Sequence, residues 1–135
     1  MRILGIDPGL QVCGYACIES KSGETTLLEG GVIRTTASKA IETRLNQIAE
    51  DIDSILDKFK PDVVGVEQLY SHYAHPRTAI LMGHARGVIL QRCAEAVSFL
   101  WNFYWHEQRG KELAYELFPL VSYRGGRVGH RSETA

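Results

Sequence analysis

An amphipathic helix followed at once by an apolar strand limits this chain to few architectures. Ile41, Leu45, Ile48, Ala49, Ile52, Ile55, Leu56 and Phe59 recur at helical spacing and form one apolar stripe. Glu42, Arg44, Gln47, Asp51, Ser54 and Lys58 fall opposite and read as a solvated face. Ser38 is the expected N-cap, and Pro61 stops the helix at Lys60. Val63-Val64-Gly65-Val66-Glu67 follows, a short apolar run of the kind found inside a sheet covered on both faces. A right-handed crossover through the helix lays this strand parallel to an earlier one.

Three extended segments precede the helix. Ile3, Leu4 and Ile6 make a strand that stops at Asp7-Pro8-Gly9. Residues 12–18 and 26–34 read as two more, the latter bulged at Gly30-Gly31. Their short links imply an antiparallel meander. The expected fold is therefore α/β, a mixed sheet with three antiparallel strands, a crossover helix and added parallel strands. Residues 69–76 read as a loop and 77–96 as a second helix. Gly83, Ala85 and Gly87 there permit close backbone approach by another element or a second copy. Residues 97–105 are aromatic and strand-like, and the last thirty residues show no period.

The chemistry concentrates at two strand ends. Asp7 closes the first strand and Glu67 closes the one after the helix. Laid in parallel, these strands bring the two carboxylates together. Alone, Asp7 before Pro8 also suits a turn cap. Together, the pair suits Mg²⁺, which takes hard oxygen ligands and keeps several waters. Two such ions about 4 Å apart clamp the attacking and leaving oxygens of phosphodiester hydrolysis. Two acids are too few to hold both ions, so a complete site wants one or two more.

Composition narrows the class. The 135 residues bound one domain, and no apolar run approaches the ~20 residues that cross a bilayer. The N-terminus enters a strand without a signal-peptide pattern. Cys13, Cys17 and Cys93 are odd in number and lack metal-site spacing; they read as buried free thiols in a reducing cytoplasm. The formal net charge of −1 gives no global case for nucleic acid. Locally, residues 68–94 contain no Asp or Glu but carry Arg77, Arg86 and Arg92 with His72, His75 and His84, a basic stretch that can meet phosphates. The histidines read as surface or packing residues.

Four segments in order, Ile3-Leu4-Gly5-Ile6-Asp7-Pro8-Gly9, Cys13-Gly14-Tyr15, Val66-Glu67-Gln68 and Gly83-His84-Ala85-Arg86-Gly87, resemble the RuvC family of crossover junction endodeoxyribonucleases, the Holliday junction resolvases. The resemblance covers about residues 1–96. It implies a ribonuclease H-like fold and a homodimer acting on four-way junction DNA. It also implies two Mg²⁺ ions per subunit, symmetric nicking in recombination and repair, and a branch-migration complex, RuvA–RuvB, as partner. Asp7 and Glu67 fall on the family's first two metal-binding catalytic acids. Tyr70 falls on an aromatic that stacks on a base at the crossover, and Arg77 and Arg86 are candidate DNA contacts. The helix around residues 83–96 corresponds to the dimer-forming helix.

Residues 97–135 depart from the pattern. The family continues with a Gly-rich loop and a helix carrying two further acids, and Glu107, Glu112, Glu116 and Glu133 sit in no such context. This region reads as a divergent or frame-shifted tail. Two other functions fit parts of the sequence. A non-catalytic junction-binding dimer needs the fold without the full acid set. A nucleotide-binding ATPase or kinase also opens on a Gly-Ile-Asp strand end. It needs a second phosphate-binding turn and a longer chain.

Overall fold

The computed structural model describes residues 1–68 and 76–103, the last three by backbone alone. In chain order the elements are β1 (Arg2–Asp7), β2 (Val12–Lys21), β3 (Glu24–Arg34), α1 (Ile41–Phe59), β4 (Val63–Glu67), α2 (Pro76–Ala96) and β5 (Leu100–Phe103). They build one five-stranded sheet in the order β3-β2-β1-β4-β5. β1–β2 and β2–β3 are antiparallel; β1–β4 and β4–β5 are parallel. This is the mixed α/β sheet expected from the crossover. β5 carries it beyond residue 96.

The core follows from strand alternation. Leu4 and Ile6 of β1, Cys13 and Cys17 of β2, Ile33 of β3, and Val64 and Val66 of β4 are all buried on one sheet face. α1 covers that face with Ile48, Ile52, Ile55, Leu56 and Phe59, and α2 adds Ala85, Ile89 and Cys93 at a spacing of four. The three thiols are buried and free. Burial pushes Cys13 up to about 11 and Cys93 up to about 12, so both stay protonated and inert. The other sheet face carries Ile3, Gly5, Asp7, Gly14, Ala16, Val32 and Glu67. Val32 there is 51% exposed.

Several local details differ from the sequence expectation. The register slips where Cys17 faces Glu29 and Ile18 faces Leu27, so the bulged residue is Leu28 rather than Gly30 or Gly31. Gly31 serves another purpose: a Cβ there would lie 2.7 Å from the Tyr15 hydroxyl, so the bare backbone makes room for that ring. Ser38 is not the N-cap. It sits inside a turn closed by the Lys39 N–H donating to Thr36 at 3.0 Å, and Ala40 takes the cap position without a side-chain bond. Pro61 does stop the helix. Lys60 is left-handed (φ 45°) and its N–H donates to the Leu56 carbonyl at 2.8 Å.

The polar face of α1 is not wholly solvated. Lys58 pairs with Glu29, which also accepts from the Tyr15 hydroxyl at 2.8 Å. Lys58 therefore holds Glu29 below the usual carboxylate range. Arg44 Nε donates to Thr35 Oγ1 at 3.0 Å, and the Thr35 hydroxyl donates to the Leu10 carbonyl. This chain of bonds ties the loop after Asp7 to the start of α1. At the opposite end, Arg2 donates to the Phe59 carbonyl at 2.8 Å and to Glu19 at 3.1 Å. Its backbone exchanges bonds with Asp62, which sets the entry into β4.

Candidate functional site

Asp7 and Glu67 are brought together by register. Ile6 pairs with Val66 across the parallel β1–β4 ladder, so the next residue on each strand is an acid on the same sheet face. Asp7 also pairs with Gly14 of β2, and Glu67 with Phe103 of β5. Asp7 is exposed and Glu67 is half-buried. Partial burial pushes the Glu67 carboxyl upward, with the nearby Asp7 charge and a hydrogen bond to Asp7 adding to the effect. Two acids this close repel once both are ionised. A proton or a cation relieves that repulsion.

Gly9 fixes where Asp7 sits. A Cβ at Gly9 would lie 2.0 Å from the Val12 carbonyl oxygen, so only glycine allows the chain to fold back this tightly after β1. Gly14 leaves the space beside Asp7 open, with its would-be Cβ at an ordinary 3.7 Å from the Asp7 Cβ. From the sequence, Gly9 reads only as a turn signal. The close approach behind it becomes visible once β2 is placed.

The basic stretch resolves into different roles. Arg77 is exposed in the first turn of α2. Arg86 donates its Nε–H to the Glu67 carbonyl at 3.0 Å, so this guanidinium is engaged by the protein itself. Arg92 lies 3.8 Å from Asp53 of α1 and 3.7 Å from Glu95. His84 is exposed. Tyr70, His72 and His75 lie outside the described residues, as do Glu107, Glu112, Glu116 and Glu133. Among the described residues no group of three or more His, Cys, Asp and Glu converges on a metal position. The donor set there is two carboxylates, which fits one Mg²⁺ that keeps its remaining waters and falls short of a two-ion clamp.

The family model of the crossover junction endodeoxyribonuclease RuvC matches residues 3–107. The chain belongs to the RuvC family. RuvC of Rhodopirellula baltica is 47% identical over 94 residues, 70% of this chain and 53% of that protein. RuvC of Caldicellulosiruptor saccharolyticus is 42% identical over 96 residues, 70% of this chain and 57% of that protein. The chain thus spans little more than half the length of these relatives. Among solved structures, Thermus thermophilus RuvC in complex with a Holliday junction substrate superposes with a TM-score of 0.74 at 27% identity, covering 90% of this chain and 76% of that one. The yeast mitochondrial Holliday junction resolvase has the same fold, with a TM-score of 0.60 at 16% identity. These likenesses bear out the RuvC-like, ribonuclease H-like mixed sheet expected from the sequence. The family match also reaches eleven residues past Ala96. Among the described residues, no helix is long and apolar enough to cross a membrane.

Proposed function

We propose that this chain carries the catalytic core of a Holliday junction resolvase, an endonuclease that nicks four-way DNA junctions symmetrically with Mg²⁺. The observation that carries this reading is the register of β1 and β4, which sets Asp7 and Glu67 side by side at adjacent strand ends. Ligands of open α/β sheets bind beyond the carboxyl ends of the strands, where this pair lies. Bound there, Mg²⁺ would lower the pKa of a coordinated water and neutralise charge developing on the phosphate.

The protein's own groups do the rest. Asp7 and Glu67 would hold the ion as ionised carboxylates, Asp7 from the exposed side and Glu67 from its half-buried position. Gly9, Thr35 and Arg44 keep the Asp7 loop fixed, so little reorganisation is needed when substrate arrives. Arg77, exposed at the start of α2, would meet a phosphate, and the family resemblance supports Tyr70 stacking on a base, a contact worth about 1–3 kcal/mol. A second copy would dock on the outer stripe of α2, where Ile80 is 61% exposed and, among the described residues, nothing lies within 4 Å of a would-be Cβ at Gly83 or Gly87. The family resemblance supports that dimer, the second ion and the RuvA–RuvB partnership. The buried free thiols support a reducing, cytoplasmic setting.

The presence of only two converging carboxylates among the described residues favours a second reading, a junction-binding dimer without cleavage. A synthetic four-way junction separates them. Mg²⁺-dependent paired nicks that vanish in Asp7→Asn establish the nuclease. Binding with no nicks in either protein establishes the second reading.

A further inference from the structure

We infer that Arg86 is a positioning residue for Glu67: it holds the main chain beneath that carboxylate and ties it to helix α2. The inference rests on the metal-site reading of Asp7 and Glu67 and goes beyond it, since it gives Arg86 a role toward the site and not toward DNA.

Glu67 is the last residue of β4, and the β1–β4 pairing ends one residue earlier, at Ile6 and Val66. Its carbonyl therefore lies beyond the ladder that locks the rest of β4 to β1. Arg86 Nε donates to that carbonyl at 3.0 Å. The donor is charged, and charge-assisted hydrogen bonds are shorter and about twice as strong as neutral ones. Its base is rigid as well. Ala85 and Ile89, one residue before it and three after, are fully buried against the sheet. The guanidinium thus projects from a packed helix and not from a loop. Within the sheet the two acids are held alike, Asp7 by pairing with Gly14 of β2 and Glu67 by pairing with Phe103 of β5, and Arg86 adds a tie from α2 to Glu67. The difference between the two carboxylates is this one bond, which couples the main chain of Glu67 to the packed helix α2. Partners bonded to a ligating side chain typically change metal affinity by about 10–100-fold when removed; Arg86 acts on the main chain of the ligand residue, so the low end of that range is expected.

The test uses the full chain with Arg86→Gln, Arg86→Lys and Asp7→Asn. Mn²⁺ affinity is measured by calorimetry, and junction binding in Ca²⁺. Thermal melts establish that each variant is folded at the measuring temperature. The inference predicts that Arg86→Gln loses about tenfold or more in Mn²⁺ affinity. It predicts that Arg86→Lys, which keeps a cationic donor, recovers part of the loss, and that junction binding is unchanged. Wild-type Mn²⁺ affinity in folded Arg86→Gln overturns it and leaves Arg86 a brace of the fold. Lost junction binding with intact Mn²⁺ affinity also overturns it, in favour of a DNA contact. If wild type and Asp7→Asn bind Mn²⁺ alike, the metal-site reading fails. The link is then judged on the metal-free protein by NMR coupling between Arg86 Nε and the Glu67 carbonyl carbon: its presence sustains the positioning role, and its absence overturns it.

Discussion

Replacing Gly83 and Gly87 together by alanine should have opposite effects on folding and on self-association. Both glycines lie inside α2, exposed, four residues apart. A glycine inside a helix costs roughly 0.5–1 kcal/mol relative to alanine. Among the described residues the added methyl groups meet nothing within 4 Å, so no clash there offsets this gain. The double variant should therefore stabilise the monomer by about 1–2 kcal/mol, and each kcal/mol should raise Tm by about 3–4 °C in a chain of this size. If a second copy packs on this stripe, four new methyl groups enter the interface. Overpacking costs typically about 1–3 kcal/mol, which loosens the dimer by about 5-fold to 150-fold. Urea melts below the dissociation constant read the first effect, since dimerisation otherwise adds to apparent stability. Sedimentation velocity across a concentration series reads the second. A less stable monomer would refute the open-space argument. A wild type that stays monomeric, or a variant that associates equally well, would refute the proposed interface.

Two further perturbations probe the site itself. Gly9→Ala drives a methyl against the Val12 carbonyl, so it should cost at least about 2 kcal/mol and abolish Mg²⁺-dependent cleavage; a wild-type melt would show that the turn relaxes freely. Glu67→Gln should be more stable than wild type in EDTA at neutral pH, because the folded state raises the Glu67 pKa above its ordinary 4.5. The sign follows from proton linkage: the folded state holds this proton more tightly, so stability falls as pH rises from the unfolded value through the raised one. The advantage of Glu67→Gln should shrink as pH is lowered toward 4.5; an advantage that is constant or grows on acidification contradicts the pairing.

Much of this was legible in the sequence, for identifiable reasons. The α1 stripe and the apolar β4 run are periodic signals, and crossover handedness converts them into a parallel β1–β4 pair. That pairing puts Asp7 and Glu67 together without knowledge of any side-chain contact. What was not legible depends on long-range contacts. Arg44 and Lys58 look like solvated charges on a helical wheel, yet they bond to Thr35 and Glu29 because the β3 end and the sheet lie against α1. Arg86 looks like a DNA contact by composition, and only the packing of α2 shows it turned onto the Glu67 carbonyl. Ser38 carries the right N-cap chemistry, but it falls inside the turn closed by Lys39 and Thr36, two residues before the cap position at Ala40. Tyr70 lies outside the described residues, and its role rests on the family resemblance.

The most direct test of the account is a Mn²⁺ titration of the isotope-labelled chain followed by amide NMR. Paramagnetic broadening should centre on Asp7, Gly14 and Glu67, which register places around one point, and it should disappear in Asp7→Asn. Broadening centred elsewhere, or unchanged by Asp7→Asn, would contradict the claim that these two strand ends form the metal site.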